Sequence, residues 1–312
     1  MRFSVVIPLY NKEKHIKDVL RSVLAQSFQD YEIIVIDDGS TDNSIDKVEE
    51  IVSDKIQVYR QENQGVAVAR NKGIEYARGE YIAFLDADDI WKKNYLLTID
   101  KLINNYPQSD IFVTAYEILM KNGKINYSKQ LNPREGCLTS YWKTLKEKYD
   151  FVWTSATTVR KSALIEAGKF KPGEKIGQDL DMWSRVARRN PRVAYSAEVC
   201  VRYTRNAQEN ARTRVKIAYA KAFIEDLEEE LENTIHSVDE LAAIKKKYDL
   251  KMTVYIFTSI MAGEKKRAIK AMRMWKGEKN RKNKILRMGL KIALLMPAKI
   301  NQLIYELRLK LF

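Results

Sequence analysis

The first 89 residues alternate four times between a short apolar run and a helical segment, and this alternation constrains the fold most. The apolar runs are rich in strand-forming residues and short enough to be buried strands. They span residues 3–8, 31–36, 56–59 and 81–85, and the first three are followed by helical patterns at 12–26, 41–52 and 66–77. Strands and helices in this order predict a doubly wound, mostly parallel sheet flanked by helices, with right-handed crossovers.

Two of these strands end in clusters of acids. Asp37-Asp38 follow the second strand, and Asp86-Ala87-Asp88-Asp89 follow the fourth. Ligands of open α/β sheets bind at the carboxyl ends of the strands. Residues two apart in an extended chain point to the same side, and two carboxylates there suit Mg²⁺ or Mn²⁺ together with substrate phosphates. A metal, Arg70, or hydrogen bonds to a base and ribose would offset the cost of burying these acids.

Taken alone, an acidic cluster like the fourth is more often a solvated turn, and Asp89 is expected to begin the next helix. Other nucleotide folds are disfavoured by motifs that the sequence lacks. No Gly-x-Gly-x-x-Gly follows the first strand, and no Gly-x-x-x-x-Gly-Lys occurs, which argues against a dinucleotide-binding fold and a P-loop.

Four segments together resemble family 2 glycosyltransferases in order and spacing. They are residues 6–11, 37–42, 63–71 and 84–89, and the resemblance covers roughly residues 1–205. It implies a GT-A fold, a nucleotide-diphospho-sugar donor and inversion of the anomeric centre. Four motifs in series are far more specific than one.

The resemblance also implies roles for individual residues at the strand ends. Pro8, Tyr10 and Glu13 would line the nucleoside pocket, and Asp38, with Asp37 behind it, would receive the base. Arg70 would reach the diphosphate. Asp86, Ala87 and Asp88 would hold ribose and metal. Asp88 is the expected ligand of Mn²⁺ or Mg²⁺, whereas Asp86 serves ribose or the metal.

A carboxylate on the acceptor side is needed to take a proton from the attacking hydroxyl. The segment 177–183 matches the position where the family carries Glu-Asp, but Gln178 replaces the first acid, so the resemblance makes Asp179 the general base. Asp179 as the N-cap of a helix over 180–189 is the alternative, and Asp181 is the fallback base. The histidine that relatives carry near the diphosphate is absent, so Arg202 or Arg205 would contact the diphosphate instead.

Between these segments we expect a strand over 111–119, a hairpin turn at Asn122-Gly123, a helix containing residues 138–145 and a core strand over 153–159. Trp153 and Trp183 are either core residues or platforms for an acceptor sugar. His15 and His236 are expected on helix surfaces.

The chain is expected to divide into a catalytic domain, residues 1–210, and a helical, strongly basic region, residues 211–312. Residues 263–312 carry 15 Lys and Arg against three acids, a net charge of +12 out of +14 for the whole chain. Basic amphipathic helices favour an in-plane anchor on an anionic membrane. A helical bundle packed on the catalytic domain or on a second subunit is the alternative, and nucleic acid is not expected because no nucleic-acid-binding module is recognisable.

No signal peptide and no run of 18 apolar residues is visible, and two cysteines, Cys137 and Cys200, fit a reducing cytosol. These features predict a cytoplasmic enzyme, peripheral on the inner face of the cell membrane. The predicted reaction is metal-dependent, inverting hexosyl transfer from a UDP-sugar to a hydroxyl of a glycan or lipid-linked saccharide in surface polysaccharide synthesis. A nucleotidyltransferase and a non-catalytic, membrane-bound partner of a polysaccharide-assembly complex are the alternatives.

Overall fold

A computed structural model describes residues 1–120, 122–128, 134–146, 151–204, 219–233, 235–276 and 281–296. The chain divides into two compact units. The first contains the described residues up to 204 except Lys175–Gly177, and the second contains Lys175–Gly177 and the helices from residue 219 onward. That one unit is catalytic and the other membrane-associated remains a prediction.

The first unit begins with the predicted alternation of strands and helices. Its elements are β1 (Phe3–Leu9), α1 (Ile16–Leu24), β2 (Tyr31–Asp38), α2 (Ser44–Glu49), β3 (Ile56–Gln61), α3 (Val66–Tyr76) and β4 (Tyr81–Phe84). The four strands pair in parallel in the order β3-β2-β1-β4, which confirms the doubly wound arrangement. All eight residues of β2 are buried, as expected of a strand covered on both faces.

The second half of this unit completes a ten-stranded sheet in the order β3-β2-β1-β4-β9-β6-β10-β5, with β7 on β6 and β8 on β10. Its elements are β5 (Ile90–Trp91), α4 (Tyr95–Asn105), β6 (Ile111–Leu119), β7 (Ile125–Tyr127), β8 (Glu135–Leu138), β9 (Thr157–Arg160), α5 (Lys161–Glu166), α6 (Gln178–Arg189) and β10 (Val193–Thr204). Strand β9 runs antiparallel to both β4 and β6, so the complete sheet is mixed. The predicted strand over 111–119 and its hairpin with β7 are confirmed.

Helix α3 lies close enough to β1 that only glycine fits at their contact. A Cβ on Gly73 would lie 2.3 Å from Val6 Cγ1, which is far inside van der Waals distance. The close packing places Arg70, one turn earlier on α3, near the carboxyl ends of β1 and β4.

Two expectations for the middle of the chain are wrong. Leu138 does not begin a helix but ends β8, which pairs with β10, and only Trp142–Lys146 form a short 3₁₀ helix. The core strand starts at Thr157 rather than at Trp153, because Thr154–Ala156 form a 3₁₀ turn. The first error follows from the pairing of β8 with β10, which is distant in sequence.

The second unit contains α7 (Lys221–Glu232), α8 (Val238–Met261), α9 (Lys265–Met274) and α10 (Arg281–Leu295). Helix α8 begins with a capping box, in which Glu240 N donates to Ser237 Oγ at 3.4 Å and Ser237 N donates to Glu240 Oε2 at 2.8 Å. Among the described helices, none is long and apolar enough to cross a membrane. Residues 297–312, the end of the predicted basic amphipathic region, lie outside the described residues.

Candidate active site

The loops after β1 and β2 form one hydrogen-bonded surface. Glu13 Oε2 accepts from Asn43 N at 3.1 Å, and Glu13 N donates to Asp42 Oδ2 at 3.1 Å. Burial opposes ionisation of Asp42, but the Ser44 hydroxyl and the Glu13 backbone N–H lower its pKa below the ordinary value. Glu13 therefore fixes the loop that carries Tyr10, and its contact with a nucleoside stays a prediction.

Asp38 is buried at the end of β2, and both of its oxygens accept hydrogen bonds. Gln61 Nε2 donates at 2.6 Å, Gln64 N at 2.8 Å and Gly65 N at 2.8 Å. Gly65 has a φ of +90°, a conformation that favours glycine, and α3 starts directly after it. The carboxylate of Asp38 thus shapes the entrance to α3, and recognition of the base remains a prediction.

The other predicted nucleoside residues surround this position. Asp37 is fully buried, accepts from Ser40 N at 3.1 Å and pairs with Arg60 at 3.4 Å. Pro8 lies beside Ile36 in the parallel pairing of β1 with β2. The structure therefore brings Pro8, Asp37 and Asp38 to one edge of the sheet.

Arg70 meets the acidic cluster after β4. Its Nη2 donates to Asp86 Oδ1 at 2.7 Å, and its guanidinium lies 5.4 Å from the centre of the Phe170 ring. Arg70 is 3% exposed, yet its Nε and Nη1 have no hydrogen-bond partner among the described residues. Unsatisfied buried donors are costly, so an anion that accepts from them would be bound strongly.

Asp88, the expected metal ligand, pairs with Lys12. Lys12 Nζ lies 2.6 Å from Asp88 Oδ2, and both side chains are largely buried. In the part of the chain that the structure describes, no group of three or more His, Cys, Asp or Glu side chains is arranged to hold a metal. Mg²⁺ or Mn²⁺ held by the two carboxylates of Asp86 and Asp88 would need further oxygen ligands, such as a bound phosphate and water, and the metal site stays a prediction.

The prediction that Asp89 begins the next helix is wrong. Asp89 is buried and accepts from Ser155 Oγ at 2.6 Å, and helix α4 starts only at Tyr95. The intervening residues form β5, which pairs with β10. A distant strand therefore overrides the local capping preference of Asp89.

Asp179 lies in the first turn of α6, half-buried, with its carboxylate held at both oxygens. Thr154 Oγ1 donates to Oδ2 at 3.0 Å, and Leu180 N donates to Oδ1 at 2.9 Å. Asp181, the fallback base, is fully buried and pairs with Lys171 at 2.9 Å and Arg185 at 2.7 Å. Asp181 is therefore held by two ion pairs. The side chain that bonds Asp179 among the described residues is the neutral hydroxyl of Thr154.

Thr154 and Ser155 connect the two acidic regions and were not identified from the sequence. Ser155 Oγ accepts from Asp86 N at 3.2 Å and donates to Asp89, and Ser155 O accepts from Trp91 Nε1 at 2.7 Å. The neighbouring Thr154 bonds Asp179. A short chain of contacts thus runs from Asp179 to Asp86 and Arg70. No sequence pattern beyond the Thr-Ser pair itself marks these contacts.

The remaining candidates have structural partners. Trp183 is fully buried and packs on Phe84 and Phe170, which supports its assignment as a core residue. Trp153 stacks between Tyr116 and Tyr203, with ring centres 5.6 and 4.6 Å away. These three rings pack together next to Thr154.

Arg202 donates to Glu117 Oε1 at 2.7 Å, and Lys92 approaches Oε2 at 3.1 Å. Burial opposes ionisation of Glu117, but these two cations lower its pKa below the ordinary value. Arg205 lies outside the described residues. His236 is not on a helix surface as expected: it lies in the turn before α8, with its side chain 4% exposed against Glu230.

The sequence model of glycosyl transferase family 2 matches residues 4–168, which include the loops after β1, β2 and β4. The chain belongs to glycosyl transferase family 2. Like other members it has a GT-A fold. Among relatives, the Escherichia coli enzyme UDP-Glc:alpha-D-GlcNAc-diphosphoundecaprenol beta-1,3-glucosyltransferase WfgD is 38% identical over 148 residues, covering 44% of this chain and 58% of that protein.

Two solved structures share the fold. Staphylococcus aureus TarS residues 1–349 in complex with UDP-GlcNAc has a TM-score of 0.69 at 20% identity, covering 87% of this chain and 80% of that one. The mannosyltransferase PcManGT from Pyrobaculum calidifontis in complex with GDP-Man and Mn²⁺ has a TM-score of 0.60 at 16% identity, covering 96% and 82%. The matches to the first curated relatives span only 38–40% of their length.

Proposed function

We propose that this glycosyltransferase inverts the anomeric centre and transfers a hexose from a UDP-sugar to a hydroxyl of a glycan or lipid-linked saccharide. The observation that carries the proposal is the chain of contacts that joins Asp179 to Asp86 and the unsatisfied guanidinium of Arg70. It provides an anion site and a carboxylate base within one connected site. A relative named for glucosyl transfer from UDP-Glc to a lipid diphosphate-linked GlcNAc supports this class of donor and acceptor.

On the donor side, Arg70 would donate from Nε and Nη1 to the diphosphate, and the strand-end loops would hold the nucleoside. Pro8, Tyr10 and Glu13 would face the nucleoside and Asp38 the base, with Ala87 close to the sugar. Mn²⁺ or Mg²⁺, held by Asp88 with Asp86, would neutralise negative charge on the leaving diphosphate. The mannosyltransferase neighbour with bound Mn²⁺ supports a divalent cation.

On the acceptor side, Asp179 would remove the proton from the attacking hydroxyl while Thr154 orients its carboxylate. Attack on the face opposite the departing diphosphate inverts the anomeric centre in a single displacement. Trp153, which precedes Thr154 and is only partly buried, would contact an acceptor sugar near the base.

A donor screen that measures nucleoside diphosphate release, with and without candidate acceptors, tests this function. We expect release of UDP that depends on the acceptor and on Mn²⁺ or Mg²⁺, and a product of inverted anomeric configuration by NMR. Release of pyrophosphate would indicate a nucleotidyltransferase. Donor binding without any acceptor-dependent release would favour a non-catalytic partner of a polysaccharide-assembly complex.

We further propose that the C-terminal helices bind an anionic membrane, on the inner face of the cell membrane. Helix α9 exposes five cations, namely Lys265, Lys266, Arg267, Lys270 and Arg273. Helix α10 exposes Met288, Ile292 and Leu295 at helical spacing, and their exposed fractions are 58%, 47% and 84%. Apolar burial and attraction to anionic lipid would then act together.

Co-sedimentation with anionic and with neutral liposomes tests this association. The full chain should bind anionic vesicles, and truncation after about residue 280 should release it. Binding that is unaffected by the truncation would make residues 281–312 dispensable for it and favour a structural role.

A further inference from the structure

Each of the two expected metal-site acids is already neutralised by a cation of the protein. Arg70 lies 2.7 Å from Asp86, and Lys12 lies 2.6 Å from Asp88. The side chains of Lys12 and Asp88 are 15% and 14% exposed, so their attraction is only partly screened by water. A divalent cation that takes Asp88 as a ligand therefore meets an ammonium group on the same carboxylate.

The two protein cations differ in their freedom to move. Arg70 is 3% exposed on a helix and packs against the Phe170 ring. Lys12 lies on the loop after β1, and its ammonium sits at the end of a flexible four-carbon side chain. When a metal ion approaches, Lys12 is therefore the partner that can leave.

The backbone of Lys12 is fixed even though its side chain is flexible. Lys12 N donates to Ser44 Oγ at 2.7 Å, and Glu13 and Asn11 on either side bond to the loop after β2. The ammonium group can therefore leave Asp88 without moving the backbone of the loop after β1. It also stays close to Asp88, because that backbone holds it there.

We propose that Lys12 is an internal counter-ion that competes with the divalent cation for Asp88, so that the metal binds tightly only together with a nucleoside diphosphate. The inference rests on the proposed function, in which the diphosphate lies at this edge. The diphosphate supplies negative charge that accommodates both the metal and the displaced ammonium. By linkage, metal and nucleotide then raise each other's affinity by the same factor.

Mn²⁺ binding without nucleotide, measured by the electron paramagnetic resonance signal of free Mn²⁺, tests the competition directly. Lys12→Met should tighten Mn²⁺ binding by about tenfold, within the usual range of coupling between sites. Lys12→Arg keeps the charge and should behave like the wild type. Lys14→Met is the matched control, because Lys14 is an exposed lysine on the same loop and its loss changes the net charge equally.

Repeating the titration with UDP gives a second readout. UDP should increase Mn²⁺ affinity strongly in the wild type and much less in Lys12→Met, because the competitor is already gone. Unchanged or weaker Mn²⁺ binding by Lys12→Met, with melting curves showing a folded protein, would overturn the proposal.

The variant Asp88→Ala separates this proposal from the metal site of the proposed function. Loss of Mn²⁺ binding in Asp88→Ala with no effect of Lys12→Met would refute only the competition. If Asp88→Ala binds Mn²⁺ as the wild type does, or if no variant binds Mn²⁺ even with UDP, both the metal site and the competition fail. Acceptor-dependent UDP release would still stand as evidence of transfer.

Discussion

The proposed donor and acceptor sides of the site differ in what their carboxylates contact. On the donor side Asp86 and Asp88 each pair with a cation, Arg70 and Lys12. On the acceptor side Asp179 is bonded by the Thr154 hydroxyl and a backbone N–H, and it forms no salt bridge within the described chain. This difference in contacts supports the proposal that Asp86 and Asp88 bind charged groups and that Asp179 takes a proton.

The largest expected effect is that of removing the acceptor-side carboxylate. Asp179→Asn should lower kcat by about 10²–10⁴-fold, the usual contribution of a general base. The amide keeps the shape of the side chain and can still accept from Thr154. Turnover measured as UDP release with a saturating acceptor tests this. A fully active variant would show that Asp179 does not act in catalysis and that the two sides do not differ as proposed.

Replacing an acid on the proposed donor side should change the affinity for UDP rather than the turnover. Asp88→Ala should lower the affinity for UDP in the presence of Mn²⁺ by at least about tenfold, or ~1.4 kcal/mol, with little change when the metal is chelated. Calorimetric titration with Mn²⁺ and with EDTA measures both values. Equal affinities for variant and wild type under both conditions would exclude a metal role for Asp88.

The hydroxyl that holds Asp179 should have a smaller effect that is confined to turnover. Thr154→Val removes the hydrogen bond at nearly constant volume and should lower kcat about tenfold, close to the ~1.5 kcal/mol of one hydrogen bond to a charged group. The KM for the donor should not change. Thr154→Ser retains a hydroxyl and should recover most of the activity, and a Val variant as active as wild type would show that Thr154 does not orient the base.

The last expected effect is on stability rather than on activity, and it concerns a cation-paired acid outside the two strand-end clusters. Glu117 pairs with Lys92 and Arg202, and its pKa is below the ordinary value of 4.5. The ion pairs of Glu117 therefore stabilise the folded state fully at pH values above 4.5. This stabilisation is lost as the pH falls through the lowered pKa of Glu117. Glu117→Gln should cost about 1–3 kcal/mol of unfolding free energy at pH 7. The variant should also lose less stability than wild type between about pH 5 and 3 in denaturant titrations.

The parts of the fold that were predicted correctly are those whose cause is local. Strands β1 to β4 are short apolar runs between helical patterns, and their order follows from the alternation alone. Asp89 and Leu138 were misassigned because β5 and β8 form only by pairing with β10, more than fifty residues away. Local propensity carries no information about such partners.

In the candidate site, too, residues marked by a local pattern were predicted and residues that act through distant contacts were not. The acids were identifiable because they follow strands and so lie at the sheet edge, and Arg70 because it belongs to a segment that resembles the family. Thr154, Ser155 and the Lys12–Asp88 pair were not, because each acts through a contact across elements. A hydroxyl or lysine in a loop has no pattern of its own that distinguishes it from a surface residue.

The most direct test of the division between the two sides is the affinity for UDP of Asp179→Asn beside that of Asp88→Ala, both titrated with Mn²⁺ present. The predicted result is that Asp179→Asn binds UDP within about twofold of wild type while Asp88→Ala is weakened at least about tenfold. If Asp179→Asn loses as much UDP affinity as Asp88→Ala, Asp179 belongs to the donor side and the assignment of a separate base is wrong.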